Sequence, residues 1–138
     1  MGMDLTKAME VSASGMYAQG QRVKVIAENI ANSDSTAETA GGAPYQRKVI
    51  TFQSMLDHAS GVEKVAVKRI TNDTNTPFGK KFEPGSPAAD KEGYVQTANV
   101  NPVVEMMDMR EAQRSYEANL NLIAMSKSMI QRAIELLR

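Results

Sequence analysis

The chain contains no cysteine, and His58 is its only histidine. The lack of cysteine excludes a disulfide framework, a thiolate metal site and a cysteine nucleophile. His58 has no second histidine at metal-ligand spacing, and a lone loop histidine is usually just solvated. We therefore expect no metal site in this chain.

An excess of charge of either sign is also absent. The sequence has 16 Lys and Arg against 16 Asp and Glu, which gives a formal net charge of +0. A chain without a basic surface has little with which to neutralise phosphates, so we expect no nucleic-acid partner. Near-neutral charge also lets copies of the chain pack closely without mutual repulsion.

Long hydrophobic runs are missing too. A membrane-spanning helix needs about 20 consecutive apolar residues, and the sequence has no such stretch. The first residues lack a basic segment followed by an apolar core, so we expect no cleavable secretory signal.

The common catalytic patterns do not occur either. The segment 12–16 falls on a helical heptad and lacks the strand and the first glycine of a nucleophile elbow. Gly41 and Gly42 are not followed by the Gly-Lys of a phosphate loop. Carboxylates such as Asp108 and Glu111 sit beside arginines and read as solvated charges on a helix face. We expect no catalytic residue, no cofactor and no small-molecule substrate. A carboxylate hydrolase would need a pocket that nothing in the sequence supplies.

What the chain does have is a heptad pattern at both ends. Apolar residues recur at alternating steps of four and three, which keeps one seam on each helix for packing against a facing helix. Ser12 and Gln19 complete the first row, and Gln113 and Lys127 interrupt the second. The predicted seam and assembly residues are Leu5, Met9, Met16, Val23, Ile26, Asn29, Ile30, Asn32, Met106, Met109, Tyr116, Leu120, Ile123, Ile130, Ile134 and Leu137.

The polar residues of the seam have two equally good interpretations. A polar residue inside a coiled-coil seam fixes the register of the two helices at some cost in stability. Alternatively, Asn32 caps the end of the first helix and Gln113 is simply tolerated. The sequence leaves both open.

The C-terminal helix carries a second apolar stripe beyond this seam. Its predicted neighbour-facing residues are Leu122, Met125, Met129, Ala133 and Leu136. One partner helix cannot cover both stripes, so we expect further chains to bury the surplus. A monomeric helical bundle is the alternative, but only two long helices are available to bury the surface.

The helix boundaries follow from capping signals. We expect the first helix from about Asp4, a possible N-cap, to about Asn32. For the last helix, Asn101 can cap, Pro102 suits the first position, and nothing breaks the pattern before Arg138. Such a helix is about 55 Å long, whereas a globule of this size is about 37 Å across. We therefore expect an elongated molecule.

Between the helices the pattern changes to short β-like runs separated by turn clusters, at 47–52, 62–70 and 93–96. The predicted fold class is mainly α with a small β region: an elongated pair of terminal helices in a coiled coil, plus a short β-containing middle segment. The predicted divisions are 1–34 for the N-terminal helix, 35–98 for the connector and β-rich middle, and 99–138 for the C-terminal helix.

A family resemblance points the same way. The segment 27–32, Ala-Glu-Asn-Ile-Ala-Asn, followed by Thr36, resembles the N-terminal signature of the bacterial flagellar rod and hook axial proteins. Along nearly its whole length the chain resembles the proximal rod members of this family. The matching stretches are 12–16, 44–48 with Phe52, 83–90, 93–95, 99–100, 104–106, 114–119 and 127–129.

The resemblance implies a structural subunit of the flagellar basal-body proximal rod, without enzymatic activity. Such subunits assemble through their terminal helices into a helical tube that is both drive shaft and export channel. The implied partners are further copies, other proximal rod proteins, the rod-base adapter on the membrane ring, and the flagellar type III export apparatus. The implied location is the rod across the periplasm, reached without a cleaved signal peptide. The alternative from another class is a soluble coiled-coil adapter that forms a discrete oligomer.

Overall fold

The computed structural model describes residues 2–138, and their side chains from Asp4 onward; Met1, the first residue of the predicted division 1–34, lies outside the described part. In sequence order, one long helix comes first, four strands follow, and a second long helix comes last. The elements are α1 Gly2–Ala31, β1 Lys48–Asp57, β2 Val62–Asn72, β3 Gly79–Phe82, β4 Tyr94–Thr97 and α2 Pro102–Leu136. β1 pairs with β2, and β3 pairs with β4. The predicted fold class, mainly α with a small β region, is confirmed.

The ends of α1 differ slightly from the prediction. The helix begins at Gly2, so Asp4 is not its N-cap. Asp4 lies instead in the first turn, where a carboxylate favours the positive end of the helix dipole. At the other end, the Asn32 side chain donates a hydrogen bond to the Glu28 carbonyl at 2.8 Å. The capping interpretation of Asn32 therefore describes its contact, because its side chain and its backbone N–H both donate to the Glu28 carbonyl in the last turn of the helix.

α2 starts where the sequence predicts. The Asn101 Oδ1 accepts a hydrogen bond from the Val103 backbone N–H at 3.1 Å, which is the N-cap contact, and Pro102 takes the first helical position. The helix ends at Leu136, two residues before the predicted end. Within residues 2–138, neither helix contains a segment long and apolar enough to cross a membrane.

Three of the four strands coincide with predicted runs, although β1 continues five residues beyond 52. β3 was not predicted, because its four residues include Lys80 and Lys81 and show no apolar alternation. It forms by pairing with β4 in antiparallel register, Gly79 opposite Thr97 and Phe82 opposite Tyr94.

The chain divides into two compact units, each of which combines pieces of all three predicted divisions. The first unit comprises the described residues up to Val23 together with Thr51–Arg69 and Arg110–Arg138. The second comprises Lys24–Ile50 and Ile70–Met109.

In the first unit the two helices run antiparallel. Gly15 lies beside Asn119, Gly20 lies beside Tyr116, and the Arg22 guanidinium is 3.7 Å from the Glu111 carboxylate.

The outer part of the β1–β2 hairpin lies along α1 in the same unit. The Ser14 hydroxyl accepts a hydrogen bond from the Val65 backbone N–H at 3.1 Å. Nearby, the Lys64 ammonium is 3.5 Å from Glu10 and 2.7 Å from Asp57. These contacts anchor β2 to the helix.

The second unit is built on β4. One edge of β4 pairs with β3. Along the other edge, the Ala37 backbone N–H donates to the Gln96 carbonyl at 3.1 Å, and just after β4 the Ala98 backbone N–H donates to the Ser35 carbonyl at 3.0 Å. Val95, fully buried, packs with Ala37 and Ala88. Gly93, at a φ of 89°, allows the turn before β4, since a Cβ there would lie 3.0 Å from the Phe82 ring.

Candidate assembly surfaces

The predicted neighbour-facing stripe lies on the solvent-exposed side of α2. Met125 is 61% exposed and Met129 is 52% exposed. The other members of the predicted stripe are exposed as well: Leu122, Ala133 and Leu136. Exposed apolar side chains thus form a continuous row on this side of α2, a feature typical of surfaces that contact other molecules.

The predicted seam residues divide into three groups. Ile26 and Asn29 are buried. A second group is half-buried: Leu5, Met9, Met16, Val23, Ile30, Asn32, Met109, Ile123 and Ile130. The third group is exposed: Met106, Tyr116, Leu120, Ile134 and Leu137.

The most buried heptad row of α2 consists of small and polar residues. Glu105, Ala112 and Ser126 are buried, and Asn119 is half-buried. They are spaced by seven, one position before Met106, Gln113, Leu120 and Lys127. The apolar heptad pattern did not predict this row, because that pattern consists of large apolar side chains. The signal was nevertheless present, as a heptad repeat of small and polar residues.

Small residues bring the two helices close together in the first unit. A Cβ on Gly15 would lie only 2.8 Å from the Asn119 Nδ2. Ser12 and Ala18 are buried on the same helix. Side chains of this size bury little apolar area, and hydrophobic stabilisation scales with that area at about 25 cal/mol per Å². The large methionines and leucines of α2 remain outside this contact.

A buried polar network dominates the second unit. Asn29, 1% exposed, accepts hydrogen bonds through Oδ1 from the Tyr45 hydroxyl at 2.8 Å and from the Lys48 backbone N–H at 2.9 Å. Through Nδ2 it donates to the Lys48 carbonyl at 2.9 Å and to the Glu105 carboxylate at 3.4 Å. Every donor and acceptor site of this amide is used, as a buried polar group requires.

Arg47 extends the network. Its guanidinium donates to Glu105 and to Asp73 at 3.2 Å. Burial alone would lower the pKa of Arg47, but the hydrogen bonds and charges of Glu105 and Asp73 together outweigh it and hold that pKa above its ordinary value. The pKa of Asp73 lies below its ordinary value, chiefly because the Thr76 hydroxyl donates to the carboxylate. Both groups are therefore charged at neutral pH.

Asn99 joins the same network from the segment before α2. Its Oδ1 accepts a hydrogen bond from the Arg47 backbone N–H, and its Nδ2 donates to the carbonyls of Asp73 and Thr76 at 3.1 and 3.0 Å. No role for Arg47 or Asn99 was predicted from the sequence, because their partners are distant along the chain.

This arrangement holds segments together and offers no metal site among the described residues. Residues 2–138 contain no group of three or more His, Asp or Glu side chains placed to hold an ion. The Arg47 guanidinium lies between the side chains of Glu105 and Asp73 and gives the buried Glu105 a cationic partner, as a buried acidic group requires. The role of this polar network is therefore structural.

Two comparisons identify the class of protein. Residues 9–37 match the family model described as flagella basal body rod protein, and residues 91–136 match the one described as flagellar basal body rod FlgEFG protein C-terminal. The two matched segments contain α1 from Met9 onward and the whole of α2. Both ends of the chain are thus similar to flagellar rod proteins.

Similarity to individual proteins shows which rod protein family the chain belongs to. The chain is 46% identical to the flagellar basal-body rod protein FlgC of Agrobacterium fabrum over 97% of this chain and 96% of that protein. It is 40% identical to FlgC of Aquifex aeolicus over 96% and 97%, and 36% identical to FlgC of Bacillus subtilis over 94% and 95%. The chain belongs to the FlgC family of flagellar basal-body rod proteins.

Proposed function

We propose that this chain is a structural subunit of the proximal rod of the flagellar basal body. It assembles through α1 and α2 into a helical tube that serves as drive shaft and export channel. The observation that carries the proposal is the exposed apolar stripe on α2, represented by Leu122, Met125 and Met129. α1 and α2 contact each other through small and polar residues, so the stripe stays free for a neighbouring chain.

The stripe also favours an open assembly. When a patch on one copy contacts a different patch on the next copy, the contact repeats without closing unless the rotation completes a ring. The flexible methionines of the stripe suit neighbours that are not identical, because Met adapts its shape to irregular surfaces.

The proposed partners follow from this role. They are further copies of the chain, other proximal rod proteins, the rod-base adapter on the membrane ring and the flagellar type III export apparatus. The proposed location is the rod across the periplasm, reached without a cleaved signal peptide. The subunit performs no catalysis and binds neither nucleic acid nor a small-molecule substrate.

A soluble coiled-coil adapter would form a discrete oligomer. It is not favoured, because the relatives that match nearly the whole chain are basal-body rod proteins.

A matched pair of variants tests the proposal in a motile strain that carries this chain as its only copy. Leu122→Asp puts a charge on the stripe, and Asn121→Asp puts the same charge on the adjacent exposed position. We expect Leu122→Asp to be exported but to leave basal bodies without a complete rod, with motility lost. We expect Asn121→Asp to swim normally. Normal rods in Leu122→Asp would contradict the role of the stripe.

A further inference from the structure

The second unit has a solvent-filled cleft beside the start of α2. Its volume is about 480 Å³, and its apolar side is lined by Pro77, Ala98, Val100 and Val104. Val104 is 46% exposed. A cleft of this size is large enough for aliphatic side chains of a partner, and side chains that fill such clefts contribute most to protein contacts.

The polar side of the cleft carries an excess of negative charge. Arg47 and Glu105 line it, and the Arg47 guanidinium contacts Glu105, lies 3.2 Å from Asp73 and lies 4.0 Å from Asp108. Three carboxylates therefore share one guanidinium. The side chain of Asp108 is 34% exposed, against 10% for Asp73 and 1% for Glu105. Asp108 is thus the carboxylate that a cation from another molecule can reach.

The C-terminal segment, residues 134–138 in the first unit, has the complementary chemistry. Leu136 and Leu137 are 87% and 88% exposed, the highest values among the large apolar side chains that the structure describes. Arg138 follows them directly and is exposed as well. Two adjacent leucines beside an arginine fit a cleft that is apolar on one side and acidic on the other.

We propose that the cleft binds the C-terminal segment of another copy of this chain. Leu136 and Leu137 of one copy fill the apolar side beside Val104 of the next copy, and Arg138 pairs with Asp108. This contact rests on the proposed function and deepens it, because it names both surfaces of one subunit interface. Since the two surfaces differ, the contact can repeat from copy to copy, as an open assembly requires.

Engineered disulfides test the contact, because the chain has no cysteine of its own. The variant Val104→Cys/Leu137→Cys replaces the unaltered chain in a motile strain, and its basal bodies are purified after mild oxidation. We expect a ladder of linked copies, since thiols that meet in the cleft come within disulfide distance. Peptide mass mapping should place the link between positions 104 and 137. Each single variant is the matched control and should give no ladder.

Charge reversal tests the ion pair independently. Asp108→Lys and Arg138→Glu each place like charges opposite one another, whereas the combined variant restores an opposite pair. We expect each single variant to reduce completed rods roughly tenfold or more. The combined variant should return to within roughly threefold of the unaltered chain. A loss that persists in the combined variant would overturn the pairing of Asp108 with Arg138.

The outcomes separate this contact from the proposed function. Rods that contain the Val104→Cys/Leu137→Cys variant without linked copies would overturn the contact and leave the proposed function standing. The same ladder from either single variant would also overturn the contact. Absence of the unaltered chain from purified basal bodies would instead overturn the proposed function.

Discussion

The Asn29 amide donates a hydrogen bond to the Glu105 carboxylate at 3.4 Å, although 76 residues separate the two along the chain. This contact joins the last turns of α1 to the first turn of α2 inside the second unit. Both side chains are 1% exposed. A buried polar pair with all its partners present favours one register of the two helices, because any shift leaves a buried group without a partner.

The first prediction concerns this pair. Asn29→Asp preserves the shape of the side chain but removes the donor and brings a second carboxylate beside Glu105. We expect a loss of about 3 kcal/mol in the free energy of unfolding, since the new charge is buried and lacks a cation of its own. Adding Glu105→Gln restores a donor opposite the new carboxylate, so the double variant should recover at least about 1 kcal/mol of the loss. Urea unfolding followed by circular dichroism measures both.

Asn32→Asp is the matched control for that experiment. Asn32 makes its contact within the end of its own helix, so its replacement should cost only about 0.5–1 kcal/mol. Equal losses at positions 29 and 32, without recovery in the double variant, would show that Asn29 does not depend on Glu105.

The second prediction compares two glycines of α1. Replacing a helical glycine by alanine normally stabilises a helix by about 0.5–1 kcal/mol. Gly20→Ala should do so, because the nearest atom to its new Cβ is 4.0 Å away on Tyr116. Gly15→Ala should fail to stabilise, because Asn119 must move. Equal gains in the urea midpoints of the two variants would contradict close packing of the helices at Gly15.

The third prediction is a titration. A hydrogen bond from Lys64, followed by one from the Ala59 backbone, lowers the pKa of Asp57 from 3.8 to about 2. Since the pKa in the folded state is depressed, ionised Asp57 favours the folded hairpin above about pH 4. That contribution disappears as the pH falls through about 2. NMR titration of the Asp57 carboxyl carbon should show the low midpoint.

Lys64→Met should raise that midpoint toward 3.8, whereas Lys68→Met, at an exposed position on the same strand, should leave it unchanged. An identical midpoint in Lys64→Met would show that Lys64 does not hold the carboxylate in solution.

The fourth prediction tests the predicted seam. Ile123 is half-buried on α2, one turn beyond Asn119. Ile123→Asp places an unpaired charge against the facing helix, which should cost about 3 kcal/mol or more and prevent rod assembly. Cells should lose motility in soft agar while Asn121→Asp cells keep it. Normal swimming of the Ile123→Asp strain would contradict the seam assignment.

The sequence predicted the two helices well, because their periodicity is long and Asn101 and Pro102 carry a clear start signal. It did not predict β3, whose pairing with β4 depends on tertiary context and not on its own residues. It also did not predict which side of α2 faces α1. Close helix packing favours small side chains. Ala112 and Ser126 contribute little to a pattern that is defined by large apolar side chains, so this side of α2 was not recognised.

The polar network could not be read from the sequence for a different reason. Arg47 and Glu105 are 58 residues apart, and Arg47 and Asn99 are 52 apart. No local pattern links residues at such separations. The resemblance to flagellar rod proteins included the segments that contain these residues, but it assigned them no contact.

We propose that this chain is built into the proximal rod through α1 and α2. Electron cryo-microscopy of basal bodies purified from cells that make the chain can show whether it is. We expect density for many copies in the proximal rod, with the Leu122–Met129 side of α2 covered by adjacent subunits. Basal bodies that lack the chain, or a rod in which that side faces solvent, would contradict it.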